Sequence, residues 1–308
     1  MAPPKVSIVV PTQRRPEGLR TAVNSIFRQR GVNFATMDLV VVDNDQTSSA
    51  LQLALELAGA APLPLTYVHE PQSGVATARN SGLRAAKGAF IAFLDDDEEA
   101  PPDWLATLMA VQSRFDADVV FGPVRARAHG APASRRSYLE RFFSREGPAQ
   151  TGIIDHYYGC GDSLVRRAAL PDPIAPFQTM RNRTGGEDDL LFSKMKRARR
   201  RFAWAAEAFV WEDPAPERLS LAYTIPRAFA YGQGPTSACA IASPPDRLGV
   251  AKWMAIGMLQ SIVYGPLALF KWLTLRHDRA EALDRAARGL GKVLWWGPFK
   301  IHFYGRTA

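Results

Sequence analysis

Asp95-Asp96-Asp97-Glu98 closes the apolar run Ala89 to Leu94, and Asp43-Asn44-Asp45 closes the apolar run Leu39 to Val42. A third acidic group, Glu187-Asp188-Asp189, follows two glycines, Gly185 and Gly186. In an extended segment residues i and i+2 share a face, so Asp95 and Asp97 converge on one ligand. Neighbouring carboxylates repel by about 1 kcal/mol per pair in water and by more when dehydrated. A hard divalent cation bound to a diphosphate relieves that repulsion, and Mg²⁺ or Mn²⁺ suits an all-oxygen donor set. A solvated acidic turn produces the same triple Asp, so the run alone leaves metal binding open. Glu187-Asp188-Asp189 also has two readings. Carboxylates favour the positive end of a helix, and a carboxylate within hydrogen-bond reach of an acceptor hydroxyl can act as its base.

These groups need elements to hold them. Val6 to Val10 reads as a buried strand ending at Pro11, and Pro16 to Arg30 as a helix with Leu19, Val23, Ile26 and Phe27 on one face. Strands at Leu39 to Val42, Leu65 to Val68, Ala89 to Leu94 and Asp118 to Phe121 alternate with helices at Thr47 to Leu57, Val75 to Ala86 and Asp103 to Phe115. Such alternation predicts parallel pairing with right-handed crossovers in an open, doubly wound sheet. Ligands of such sheets bind beyond the carboxyl ends of the strands, where the first two acidic groups lie. Residues 126–185 read as irregular, with Gly159-Cys160-Gly161-Asp162-Ser163-Leu164 a loop entering a strand. A helix from Glu187 to about Arg200 and a last strand from Phe202 to Trp211 complete the domain.

The 308 residues carry a net charge of +8, 47% hydrophobic residues and two cysteines. That composition excludes wholesale disorder, a disulfide framework and a cysteine-rich zinc site. The five histidines show no metal-ligand spacing. Met1 to Lys5 leads straight into a strand without an apolar leader, which points to the cytoplasm. From residue 251 to 308 nine Lys/Arg face three acids, among Trp253, Trp272, Trp295 and Trp296. Basic residues interleaved with tryptophan indicate an anionic membrane surface, and no nucleic-acid motif supports a nucleic-acid partner. The 18 uncharged residues between Lys252 and Lys271 would span about 27 Å as a helix. A helix in the interface, one packed on the domain and a single span all fit that segment. Pro244-Pro245 marks the expected boundary, giving a catalytic domain over 1–243 and a helical region over 244–308.

Five motifs in order resemble those of family 2 glycosyltransferases: Val6 to Thr12 with Arg15, Val41-Val42-Asp43-Asn44, Gly74 with Ala78-Arg79-Asn80-Ser81-Gly82, Phe93 to Asp97, and Gly185 to Leu190. Within that family the chain is most similar to bacterial enzymes of exopolysaccharide or lipid-linked glycan assembly. The resemblance implies a GT-A fold, that is, a Rossmann-like doubly wound mixed sheet, here with a helical, membrane-associating C-terminal region. It also implies a nucleotide-sugar donor (a UDP-sugar is the commonest), inversion at the anomeric carbon, Mn²⁺ or Mg²⁺, and a glycan or polyprenyl-diphosphate-linked acceptor. Carried over, Pro11, Thr12 and Arg15 would border the nucleotide, with Asp43 and Asn44 recognising the base. Arg79 would support the nucleotide or the acidic loop. Asp95 and Asp96 would reach the ribose or a metal-bound water, and Asp97, with Asp95, would hold the metal. Asp188 would be the general base, oriented by Glu187. Relatives that use His as a further metal ligand have it where this chain reads Trp211-Glu212-Asp213, so Glu212 would either substitute as a metal ligand or contact the acceptor. The Gln-x-x-Arg-Trp motif of processive synthases is absent, so single-sugar transfer is expected, at the inner face of the cell membrane.

Two other readings stay open at this point. A sugar-nucleotide pyrophosphorylase shares the sheet and Mg²⁺ but calls for a glycine-rich loop where Pro11 to Arg15 stands. A catalytically degenerate, membrane-docked scaffold would keep the fold without the transfer.

Overall fold

The computed structural model describes residues 5–182, 185–242 and 244–301. His302, the end of the basic tail and part of the Pro244 boundary segment therefore lie outside the described residues. In chain order the first half contains β1 (Val6–Thr12), α1 (Pro16–Phe27), β2 (Met37–Asp43), α2 (Leu51–Ala60), β3 (Leu65–His69), α3 (Val75–Ala85), β4 (Phe90–Phe93), β5 (Glu98–Glu99), α4 (Trp104–Phe115), β6 (Val119–Phe121) and β7 (Val124–Ala126). Then come α5 (Ala133–Phe143), β8 (Gly152–Ile154), β9 (Ser163–Arg166), α6 (Glu187–Arg197), β10 (Phe202–Trp204) and β11 (Val210–Glu212). Three helices follow, α7 (Leu221–Ile241), α8 (Arg247–Leu273) and α9 (Arg279–Val293).

The main sheet has the order β3-β2-β1-β4-β9-β6-β10-β8. Strands β1 to β4 pair in parallel, whereas β9 runs antiparallel to both β4 and β6. The sheet is doubly wound and mixed. Along β2 the side chains alternate between two apolar layers: Leu39 and Val41 join Leu19, Val23 and Ile26 of α1, while Val40 and Val42 join Ala76 and Leu83 of α3. Continuously apolar strands are the signature of a sheet covered on both faces.

Three expectations are corrected. Helix α2 starts at Leu51, not Thr47, because the Asp43 carboxylate takes the Ala50 N–H and holds residues 47–50 as a turn. The run Phe202 to Trp211 is two strands in two sheets, separated by a turn closed by the Ala208 N–H on the Ala205 carbonyl. The segment read as irregular contains α5.

The described chain forms two compact units that do not divide at residue 243. Residues 5–125 and 144–213 make one, and 126–143 with 214–301 make the other. The first holds both sheets. The second holds α5 and α7 to α9, with Tyr138 and Leu139 of α5 beside Ala280 of α9 in its own small core.

Candidate active site

Parallel pairing brings the ends of β1, β2 and β4 to one edge. Thr12 pairs with Asp43, and Val9 with Phe93, so Thr12 stands level with Asp96 three residues on. Its hydroxyl donates to Asp96 Oδ2 at 2.8 Å. One Arg15 nitrogen reaches Asp96 at 2.9 Å and Asp97 at 2.7 Å. Burial pushes the Asp96 carboxyl up to about 6 against the pull of Arg15. Burial opposes the Arg15 charge too, but the two carboxylates outweigh it and hold the guanidinium firmly protonated.

Because β9 is antiparallel, its first residue, Ser163, sits beside Phe93 and Phe121 at the same edge. The loop Gly159-Cys160-Gly161-Asp162 thereby lands on the acidic run. A methyl group on Gly161 would lie 2.7 Å from Glu98 Oε1 and 2.8 Å from Asp95 Oδ2, and one on Gly159 would lie 2.6 Å from an Arg145 nitrogen and 3.2 Å from Asp188 Oδ2. Only glycine lets the loop approach that closely. Arg145 donates to the Gly161 carbonyl. Asp162 accepts from Trp104 Nε1 at 2.6 Å, and burial raises its carboxyl to about 7.

The third acidic group arrives at the same place. Glu187 and Asp188 open α6, with Gly186 in the left-handed conformation (φ 79°) as its N-cap. Asp188 Oδ2 accepts the Cys160 N–H at 3.2 Å and Oδ1 the Asp189 N–H at 2.9 Å. Glu187 is buried, and Arg79 bonds it at 2.6 Å while reaching Asp95 at 3.2 Å. Burial pushes the Glu187 carboxyl up, opposed by Arg79. Arg79 itself is 4% exposed on α3, a helix buried from Ala76 to Leu83. Asn80 pins that helix by bonding both the carbonyl and the N–H of Phe177. One guanidinium thus ties the acidic run after β4 to the acidic start of α6.

Other expected residues take different places. Asp43 is fully buried and its carboxylate accepts from Ala50 N–H, Asp45 N–H and the Tyr67 hydroxyl. The Asn44 side chain bonds the carbonyls of Glu70 and Gln72 and the Gly74 N–H. Both frame the loop rather than project from it. Pro11 stands in β1 opposite Val42. Glu212 pairs with Glu98 across β5 and β11, and the Asp213 N–H bonds the Asp97 carbonyl at 2.9 Å. The basic run that begins at Lys194 lies in the last turn of α6 and beyond, at the opposite end of that helix from Glu187. Arg145 and the two glycines of the 159–162 loop were not singled out from sequence as site residues, since a lone Arg in a loop-like segment carries no periodic signal.

Asp95, Asp97 and Glu212 offer hard oxygen donors, which fit Mg²⁺ or Mn²⁺. Among the described residues no three acidic, histidine or cysteine side chains are gathered on one point. That suits a cation that takes one or two carboxylates and fills its shell with phosphate and water oxygens.

The family model described as "Glycosyl transferase family 2" matches residues 7–172. The succinoglycan biosynthesis protein ExoM of Rhizobium meliloti (strain 1021) is 37% identical over 229 residues, 74% of this chain and 73% of that protein. WfgD of Escherichia coli, a UDP-Glc:alpha-D-GlcNAc-diphosphoundecaprenol beta-1,3-glucosyltransferase, is 32% identical over 107 residues, 35% of this chain and 39% of its own. Among solved structures, S. aureus TarS 1-349 in complex with UDP-GlcNAc superposes with a TM-score of 0.55 at 18% identity, covering 93% of this chain and 90% of that one. Against the longer TarS chain the coverage of that protein is 43%. The likeness to TarS is one of fold: the mixed sheet is that of a GT-A glycosyltransferase.

Proposed function

The chain belongs to glycosyl transferase family 2, and from that premise we propose an inverting, metal-dependent hexosyltransferase that moves one sugar from a UDP-sugar to a glycan or polyprenyl-diphosphate-linked acceptor. The observation that carries this reading is the Arg79 bridge, which sets Asp95 and Glu187-Asp188 around one site. The donor and acceptor classes rest on ExoM and WfgD, whose names speak of succinoglycan biosynthesis and of a diphosphoundecaprenol acceptor.

In this reading Pro11 and Thr12 border the base, and Asp43 and Asn44 shape its pocket through the loop they frame. Asp95 and Asp96 lie toward the ribose and diphosphate. Asp97, with Asp95 or Glu212 as its partner, would hold Mn²⁺ or Mg²⁺, which when bound supplies Lewis-acid neutralisation of the diphosphate. Arg15, partly exposed beside Asp97, places a fixed positive charge near the departing nucleoside diphosphate. Asp188 takes the acceptor hydroxyl proton as that oxygen bonds the anomeric carbon and the bond from that carbon to the donor phosphate oxygen breaks. Two backbone N–H donors hold its carboxylate in place, and Glu187, clamped by Arg79, orients the turn. General-base assistance contributes about 10²–10⁴-fold. The enzyme works peripherally on the cytoplasmic side of an anionic membrane surface.

Calorimetry of UDP-sugars with and without MnCl₂, paired with a transfer assay on lipid-linked acceptor, tests the proposal. Asp97→Ala is expected to lose Mn²⁺-dependent donor binding. Asp188→Asn is expected to bind donor as wild type does and to transfer about 10²–10⁴-fold more slowly. Full turnover by Asp188→Asn would remove the base assignment, and no donor binding by the wild type across the sugar panel would remove the function.

A further inference from the structure

Among the described residues, helix α8 leaves one side uncovered. Leu259, Ile262, Val263, Leu269, Phe270 and Leu273 are each 50–73% exposed, and their spacing of three to four residues makes a single stripe. The other side of α8 is polar and small, and α9 occupies it. Gln260 donates to the Arg285 carbonyl at 2.8 Å and accepts from Lys292 Nζ at 3.0 Å, and Arg285 donates to the Tyr264 hydroxyl at 2.7 Å. A methyl group on Gly257 would lie 2.6 Å from the Gly289 carbonyl, and one on Gly289 would lie 2.7 Å from Ser261 Oγ. Near the far end Lys271 meets Asp278 at 2.6 Å. Helix α9 therefore runs antiparallel along α8 from Gly257 to Lys271.

That packing decides between membrane geometries that length cannot separate. The 27 residues of α8 are enough to cross a bilayer. Yet α9 carries Glu281, Asp284, Arg285, Arg288 and Lys292 alongside it. A spanning α8 would drag those ions into hydrocarbon, and each is strongly unfavourable there.

We infer that α8 lies flat on an anionic lipid bilayer, its exposed stripe seated at the boundary of headgroups and acyl chains, with α9 on the water side. Charge selects the occupant. Arg247 and Lys252 precede the stripe, Arg276 and Arg279 follow it, and from residue 247 to 279 Asp278 is the sole acid. A second copy of the chain would bring the same positive charge, whereas anionic headgroups complement it. Trp253 precedes the stripe and Trp272 adjoins its last residue, with Lys252 6.0 Å and Arg279 5.2 Å from their respective rings, and such amphipathic pairs are common near membrane interfaces. This deepens the membrane-surface part of the proposed function and is independent of the donor chemistry.

The test uses the full chain with phosphatidylcholine vesicles, with and without phosphatidylglycerol. Wild type is expected to co-sediment with the anionic vesicles and to be released by salt. The double substitution Ile262→Glu with Phe270→Glu is expected to weaken partitioning about tenfold or more, with an unchanged melting temperature and unchanged UDP binding. Nitroxide labels on Leu259→Cys, Ile262→Cys and Leu273→Cys, each in a Cys239→Ser background, are expected to report one shallow depth. Depth that peaks at residue 262 and falls toward both ends would establish a span and overturn the flat geometry. Absence of vesicle binding would overturn the membrane partner as well. A solution dimer dissolved by the double substitution would assign the stripe to a second copy. Donor binding in the same samples reports separately on the transferase reading.

Discussion

Arg79 donates to two carboxylates from a nearly closed position, so its loss strands the buried one, Glu187. Breaking a buried pair by removing one partner costs about 3–5 kcal/mol. Arg79→Met is expected to lose that much, read as a lower urea midpoint, and Arg79→Lys to recover little because a point charge cannot bridge as a planar fork does. Asp162 supplies a pH prediction. Burial raises its carboxyl from 3.8 to about 7, so the fold favours its protonated form. Its contribution to stability is complete below about pH 4 and is lost as pH rises through 7. Asp162→Asn keeps an oxygen for Trp104 Nε1 but cannot titrate. The melting temperature of wild type minus that of Asp162→Asn is therefore expected to shrink between pH 5 and pH 8, and a constant difference would refute the raised carboxyl.

The loop before β9 shows how an element makes a site. Reversal of one strand delivers residues 159–162 to the edge where β4 ends, and glycine at 159 and 161 lets carboxylates close on both sides. Gly161→Ala is expected to displace Glu98 and Asp95, costing about 1–3 kcal/mol in thermal or chemical denaturation and lowering Mn²⁺-dependent donor affinity in the same preparation. Strands β1, β2 and β4 were legible because each is a short apolar run ended by turn or acidic residues. Strands β9, β10 and β11 were less so. Three or four residues carry too little periodicity to show direction or partner, and Phe202 to Trp211 reads as continuous until its two halves are seen in different sheets. Helix α7 carries no clear helical signal in the sequence, since Pro226 and Pro235 stand inside it and proline ordinarily ends a helix.

The molecule as a whole separates a sheet-bearing unit from a helical one, and the boundary follows packing rather than the proline pair at 244–245. Helix α5 interrupts the first unit in sequence and joins the second, with Tyr138 Oη 3.4 Å from the Asp284 carboxylate of α9. Within the helical unit, Gly257 and Gly289 set the spacing of α8 and α9. Gly257→Val would place its Cβ 2.5 Å from that of Lys292. It is expected to lower the melting temperature and, by freeing α8 from α9, to weaken the shared depth of the labelled stripe residues on anionic vesicles.

Order and residue type along the chain were enough to establish the family resemblance, the acidic clusters and the basic, tryptophan-bearing end, because these are local properties of composition and spacing. Convergence was not local. Arg79 and Glu187 are 108 residues apart in the chain, and the Asp43 carboxylate is spent on its own turn. No pattern in one dimension announces which donor a buried carboxylate will meet, or that α9 will lie along α8 and hold its charges there. Those facts arise when burial forces every polar group to find a partner, and the partner is set by the packing of distant segments.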